Sequence, residues 1–157
     1  MQLNELYPFW GDIHQELIDA IESLTEPQIL MRPAPPLPSV AEIVLEFVTE
    51  ARFFVGRLIG GNEYEVPRRA DYGTSRALVE LLEATRELEE LIMEPFSREG
   101  LRAVRTVPAD PKENRPETNM TVAWLIWHAM EREIYHYGRI RQRIQDGARG
   151  AWNGHLN

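Results

Sequence analysis

The sequence predicts an all-α protein: a four-helix bundle with a long connection between its third and fourth helices. Three observations predict it. Four segments carry apolar residues at helical spacing, none alternates convincingly as a strand does, and the 157 residues suffice for one domain with a proper core. The expected organisation is a single domain over 1–157, ending in a tail from about 147 to 157.

The first helix is predicted from about Leu6 to Leu24, with Phe9 and Trp10 near its start and Ile13, Leu17, Ala20, Ile21 and Leu24 in helical period. Pro8 suits a first turn, where its missing N–H costs nothing. The five prolines of TEPQILMRPAPPLP predict a stiff, non-helical spacer. Ser39 and Glu42 form a capping box opening the second helix. Val40, Ile43, Val44, Phe47, Ala51, Phe54, Val55 and Leu58 are its stripe, and Gly60-Gly61 ends it. Glu46, Glu50 and Phe53 share one flank of that stripe.

Thr74 is the predicted N-cap of a third helix to about Met93, buried through Leu78, Leu81, Leu82, Thr85, Leu88, Leu91 and Ile92 and stopped by Pro95. From Phe96 to Glu117 the chain is polar and Pro-rich, with LRAVRTV as a short extended piece. So long a connection is expected to pack over the bundle or to have a role of its own. The fourth helix, Thr121 to Asp146, carries Val122, Ile126, Ala129, Glu133, Tyr137, Ile140 and Ile144 on one face, and Gly147 ends it. That stripe is apolar except at Glu133, and Arg132 and His136 lie on its flank. Charged groups beside a buried stripe need partners, so the chemistry is expected here.

Composition narrows the function. A net charge of −8 disfavours nucleic acid as a partner. The basic cluster Arg139, Arg141 and Arg143 sits at a helix C-terminus, where the macrodipole favours it. Without cysteine there is no disulfide, thiolate nucleophile or Cys-based metal site. The N-terminus lacks a secretory pattern, and no stretch approaches the roughly 18 apolar residues of a membrane span. A cytoplasmic protein with no membrane partner is expected.

Two stretches, RPAPPLPSVAEIVLEFVTEARFF and WHAMEREIYHYGRI, resemble the DinB-like superfamily of bacterial four-helix bundles. The first is similar to that family's entry into helix two, the second to its histidine-rich segment late in the chain. The resemblance implies a divalent metal, zinc or nickel, held by three histidines, and in some members thiol-dependent transferase or isomerase activity. Carried over, the helix-two ligand falls on Glu46 and the last-helix ligands on Arg132 and His136. Only His136 is still histidine; Glu133 and Gly138 keep the family's acid and glycine, and His128 falls on a histidine that is not a ligand.

Arginine offers donors only, so no metal is expected at Glu46, Arg132 and His136. The expected replacement is an Arg132–Glu46 ion pair with His136 beside it. Two functions follow. One is a metal-free binding or structural protein whose site is Glu46, Arg132 and His136. The other is a small-molecule or thiol-dependent enzyme using the same inter-helix pocket, with His136 and Glu133 as candidate acid–base groups and a divalent metal as a possible cofactor. His136 and Glu133 also read as core residues hydrogen-bonded to each other one turn apart. His14 is expected to be structural or solvent-facing. Trp124, Trp127, Glu131 and Gly138 share the opposite face of the last helix, which is expected either to meet the 96–117 connection or to pair in a homodimer.

Overall fold

The computed structural model describes residues 1–33, 36–111 and 114–147. In these the chain forms α1 (Leu3–Leu6), α2 (Trp10–Glu22), α3 (Glu26–Leu30), α4 (Val40–Ala51), α5 (Ser75–Met93), strands β1 (Val104–Val107) and β2 (Thr118–Thr121), and α6 (Val122–Asp146). A π-helical segment, Arg52–Ile59, prolongs α4. The four long helices make the bundle, α2 and α4 each packing on both α5 and α6. The expected tail, with Trp152 and His155, lies outside the described residues.

The predicted caps form as read. The Ser39 amide donates to Glu42 Oε2 at 2.8 Å, and the Glu42 amide donates to Ser39 Oγ at 3.3 Å. Thr74 Oγ1 accepts from the Ala77 amide at 3.2 Å. Other expectations change. The first long helix begins at Trp10, because Pro8 falls in a turn and Leu3–Leu6 is a separate short helix. The Pro-rich spacer opens with α3, since the Thr25 amide donates to Gln28 Oε1 at 2.9 Å and Pro27 sits in the first turn.

A third change is the long connection, which contains a β-hairpin. β1 and β2 pair antiparallel, Val104 opposite Thr121 and Val107 opposite Thr118. The extended piece in LRAVRTV is β1; TNMT was too short and polar to show a strand period. Thr121 ends β2 and also caps α6, accepting from the Trp124 amide at 3.2 Å. β1 packs against the π-helical segment.

That segment also moves the apolar stripe. A π turn closes i→i+5, as when the Gly60 amide donates to Val55 O at 3.0 Å, so each turn holds an extra residue. Ile59 is therefore buried where the α-helical period gave Leu58. Gly61 ends the segment at φ 71°, a left-handed conformation that favours glycine.

The core is in two parts. One gathers Leu17, Ile21, Ile43, Phe47, Leu82 and Ile140; the other gathers Trp10, Phe54, Ile92, Val122 and Ile126. Between these levels α2 contributes His14, α5 contributes Thr85 and Glu89, and α6 contributes Glu133 and His136, all buried. A polar waist thus crosses the bundle. On α5, Leu91 is exposed and Glu89 takes a buried place, continuing the 78, 82, 85 spacing.

Candidate functional site

Consecutive residues on an α-helix point about 100° apart, so Arg132 and Glu133 serve different faces of α6. Arg132 turns to α4. Its Nε donates to Glu50 Oε2 at 2.7 Å and its Nη2 to Glu50 Oε1 at 2.8 Å, a bidentate pair. His136 Nε2 lies 2.9 Å from the same Oε2. One turn further along α6, Arg139 Nη1 donates to Glu46 Oε2 at 2.7 Å and approaches His136 Nδ1 at 3.1 Å.

The predicted Arg132–Glu46 pair is therefore corrected: Glu50 holds Arg132, and Glu46 holds Arg139. Position numbers fall along α4 as they rise along α6, so the helices are antiparallel, and their stagger selects Glu50. A contact to Glu46 would need a slip of about one turn, some 5.4 Å.

The neighbours assign the imidazole. A guanidinium only donates, so Nδ1 of His136 accepts from Arg139; a carboxylate only accepts, so Nε2 donates to Glu50. The 3.4 Å approach of Arg132 Nη2 to Nε2 is then a meeting of two donors, not a hydrogen bond. His136 has no exposed surface, and both ring nitrogens are engaged. Burial alone raises the Glu50 pKa, but the hydrogen bonds from His136 and Arg132 outweigh it and hold the carboxyl at about 2.

Glu133 turns the other way and is not bonded to His136. Its carboxylate accepts from Trp10 Nε1, from His14 Nδ1 at 2.6 Å and from Arg86 Nη2 at 2.7 Å. Burial penalises its charge, but His14, Arg86 and Trp10 together hold its pKa below the usual range. Arg86 also reaches Glu89 at 3.2 Å, where desolvation dominates and pushes the Glu89 pKa up to about 8. His14, read as structural or solvent-facing, is a buried member of this cluster.

A cavity of about 740 Å³ lies beside the Glu50–Arg132 pair. Glu46, Thr49 and Glu50 of α4 line it, as do Phe53 and Phe54 at the start of the π-helical segment, continuing the same i, i+3, i+4, i+7, i+8 face. Tyr64 and, from α6, His128 and Arg132 complete that side. Asp110 and Arg115, bridged through their backbones between β1 and β2, supply the rest. The long connection is thus part of the pocket. Phe54 meets the edge of His128 at 4.7 Å between centroids, and Trp124 stacks on His128 at 4.8 Å. Trp124 and Trp127 are 36 % and 40 % exposed, so the connection does not bury them.

With this geometry in place, a family model for the DinB superfamily matches residues 12–147. The chain belongs to the DinB superfamily. A solved DinB-like protein from Bacillus cereus superposes with a TM-score of 0.73 at 10 % identity, covering 93 % of each chain. A DinB-like protein from Bacillus subtilis has a TM-score of 0.67 at 19 % identity, covering 92 % of this chain and 93 % of that one. A conserved protein from Enterococcus faecalis has a TM-score of 0.61 at 14 % identity, covering 98 % and 99 %. These identities establish the shared fold alone. No curated protein matches the chain.

The DinB fold raises the question of a metal. Glu46, Glu50 and His136 each offer a ligand atom within 4.8 Å of the others. Those atoms are committed elsewhere: Arg132 takes both oxygens of Glu50, and Arg139 takes an oxygen of Glu46 and Nδ1 of His136. Two guanidinium cations pair with the two carboxylates and hold the cluster together. A metal bound to this donor set would have to displace or share those guanidinium contacts. Glu50, the residue that sequence reasoning missed, sits one turn from Glu46 on the flank already noted.

Proposed function

We propose that this DinB-superfamily chain is a metal-independent binding protein, with the Glu50–Arg132 pair, held from behind by buried His136, as the fixed floor of a small-molecule pocket. The bidentate grip of Arg132 on Glu50 carries the reading. It puts a permanent cation among the family's ligand positions, beside a cavity of ligand-sized volume. A thiol-dependent transferase or isomerase in the same pocket would need a free acid or base. His136 is buried with both nitrogens engaged, and Glu133 faces the opposite cluster, so we favour binding over catalysis.

Metal analysis of protein purified without an affinity tag and then dialysed tests this. The wild type is expected to hold no stoichiometric zinc or nickel. Arg132→His removes the blocking cation, adds a donor and leaves Glu46, Glu50 and His136 in place, so it is expected to take up zinc stoichiometrically. Stoichiometric metal on the wild type would overturn the reading. A folded Arg132→His variant that takes up none would show that the guanidinium is not what excludes the ion.

A further inference from the structure

We propose that the ligand of this pocket is a small aromatic carboxylate, its anionic end on Arg132 and its ring against Phe53, Phe54 and His128. The inference rests on the metal-independent reading above and adds the chemical class.

Unused hydrogen-bonding capacity decides the charge. The acids on the cavity wall are engaged by guanidinium groups: Glu50 by Arg132, Glu46 by Arg139, and Asp110 by Arg115 at 3.9 Å. They are poor receptors for a second cation. Arg132 is the reverse case. Glu50 uses its Nε and Nη2, while Nη1 has no protein acceptor among the described residues. The side chain is 27 % exposed, lines the cavity and lies over the Tyr135 ring at 4.6 Å. A guanidinium clamped on one edge and stacked on one face is already ordered, so a carboxylate meeting its open edge costs little side-chain entropy.

The rings decide the body. Phe53 and Phe54 meet edge to face at 5.2 Å, and Phe54 meets His128 the same way at 4.7 Å. Another ring extends such an array in its preferred geometry.

The test is a series with one shared phenylpropyl frame, 3-phenylpropionate, 3-phenylpropanol and 3-phenylpropylamine, titrated into the full chain. Calorimetry and tryptophan fluorescence read it, because Trp124 stacks on the cavity residue His128. The acid is expected to bind roughly tenfold or more tightly than the alcohol, and the amine not detectably. Arg132→Lys keeps the charge but loses the fork, and should weaken the acid roughly tenfold. Phe53→Ala should weaken it independently and covers the case in which Arg132→Lys does not fold. Preference for the amine, or equal binding of all three, overturns the carboxylate assignment and leaves the binding reading standing. Binding of none up to millimolar concentration also overturns it, and zinc on the wild type in the parallel metal analysis overturns the binding reading as well.

Discussion

Glu50 and Glu89 are carboxylates with opposite environments, and pH separates them. Glu50 is depressed to about 2, because His136 and Arg132 outweigh the desolvation that would raise it. Its contribution is therefore full above its ordinary value of 4.5 and is lost as pH falls toward about 2. Glu89 is raised to about 8, because desolvation outweighs Arg86. The folded chain holds that proton longer than the unfolded chain, so the Glu89 penalty grows from pH 4.5 to about 8 and then levels. Urea denaturation of Glu50→Gln and Glu89→Gln across this range should give opposite trends. Discounted for its partial exposure, Glu50→Gln should cost about 2 kcal/mol at pH 7 and progressively less toward acid. Glu89→Gln should gain on the wild type by about 1 kcal/mol or more toward pH 9. Parallel curves for the two variants would refute both assignments.

At the scale of the element, the π-helical segment supplies part of the pocket wall. Its first residues place Phe53 and Phe54 on the cavity, three and four positions beyond Glu50. Gly60 lets that segment end close against α5: a Cβ there would lie 2.8 Å from Gly56 O and 2.9 Å from Ile92 Cδ1. Backbone on one side leaves little room to relax. Gly60→Ala is therefore expected to destabilise by about 1–3 kcal/mol in thermal or chemical denaturation, as overpacking does. A neutral result would mean that the turn yields more easily than its packing implies.

For the whole molecule, the polar waist divides the core and leaves α6 with two buried faces and one open one. The open face carries Trp124 and Trp127, and the space around Gly138 is clear within 4 Å of a built Cβ. We propose that a second copy covers this face, making a homodimer built partly on α6. Sedimentation at micromolar concentration should show a dimer, Trp127→Glu should give a folded monomer, and Gly138→Ala should weaken association by blocking close approach. A wild-type monomer at that concentration would rule the arrangement out. No helix of the described residues is long and apolar enough to cross a membrane.

Sequence by itself determined the bundle. Helical period, the Ser39 and Thr74 caps and Gly60-Gly61 are local signals, acting within a turn or two, and they hold in the fold. It also showed that Arg132, Glu133 and His136 must find partners, because buried charge is costly wherever it lies. Which partners they found was decided by tertiary structure. Glu46 and Glu50 are equivalent on one flank in sequence, and only the stagger of α4 against α6 gives Arg132 to Glu50. Glu133 and His136 are three residues apart on one helix, yet Glu133 turns to α2 and α5 while His136 turns to α4. The hairpin wall was half visible: β1 showed as an extended piece, but β2 is too short and polar to show a period, and their pairing is a contact between distant residues. Local chemistry is written in the order of residues; the register between helices is set by the packing of all of them at once.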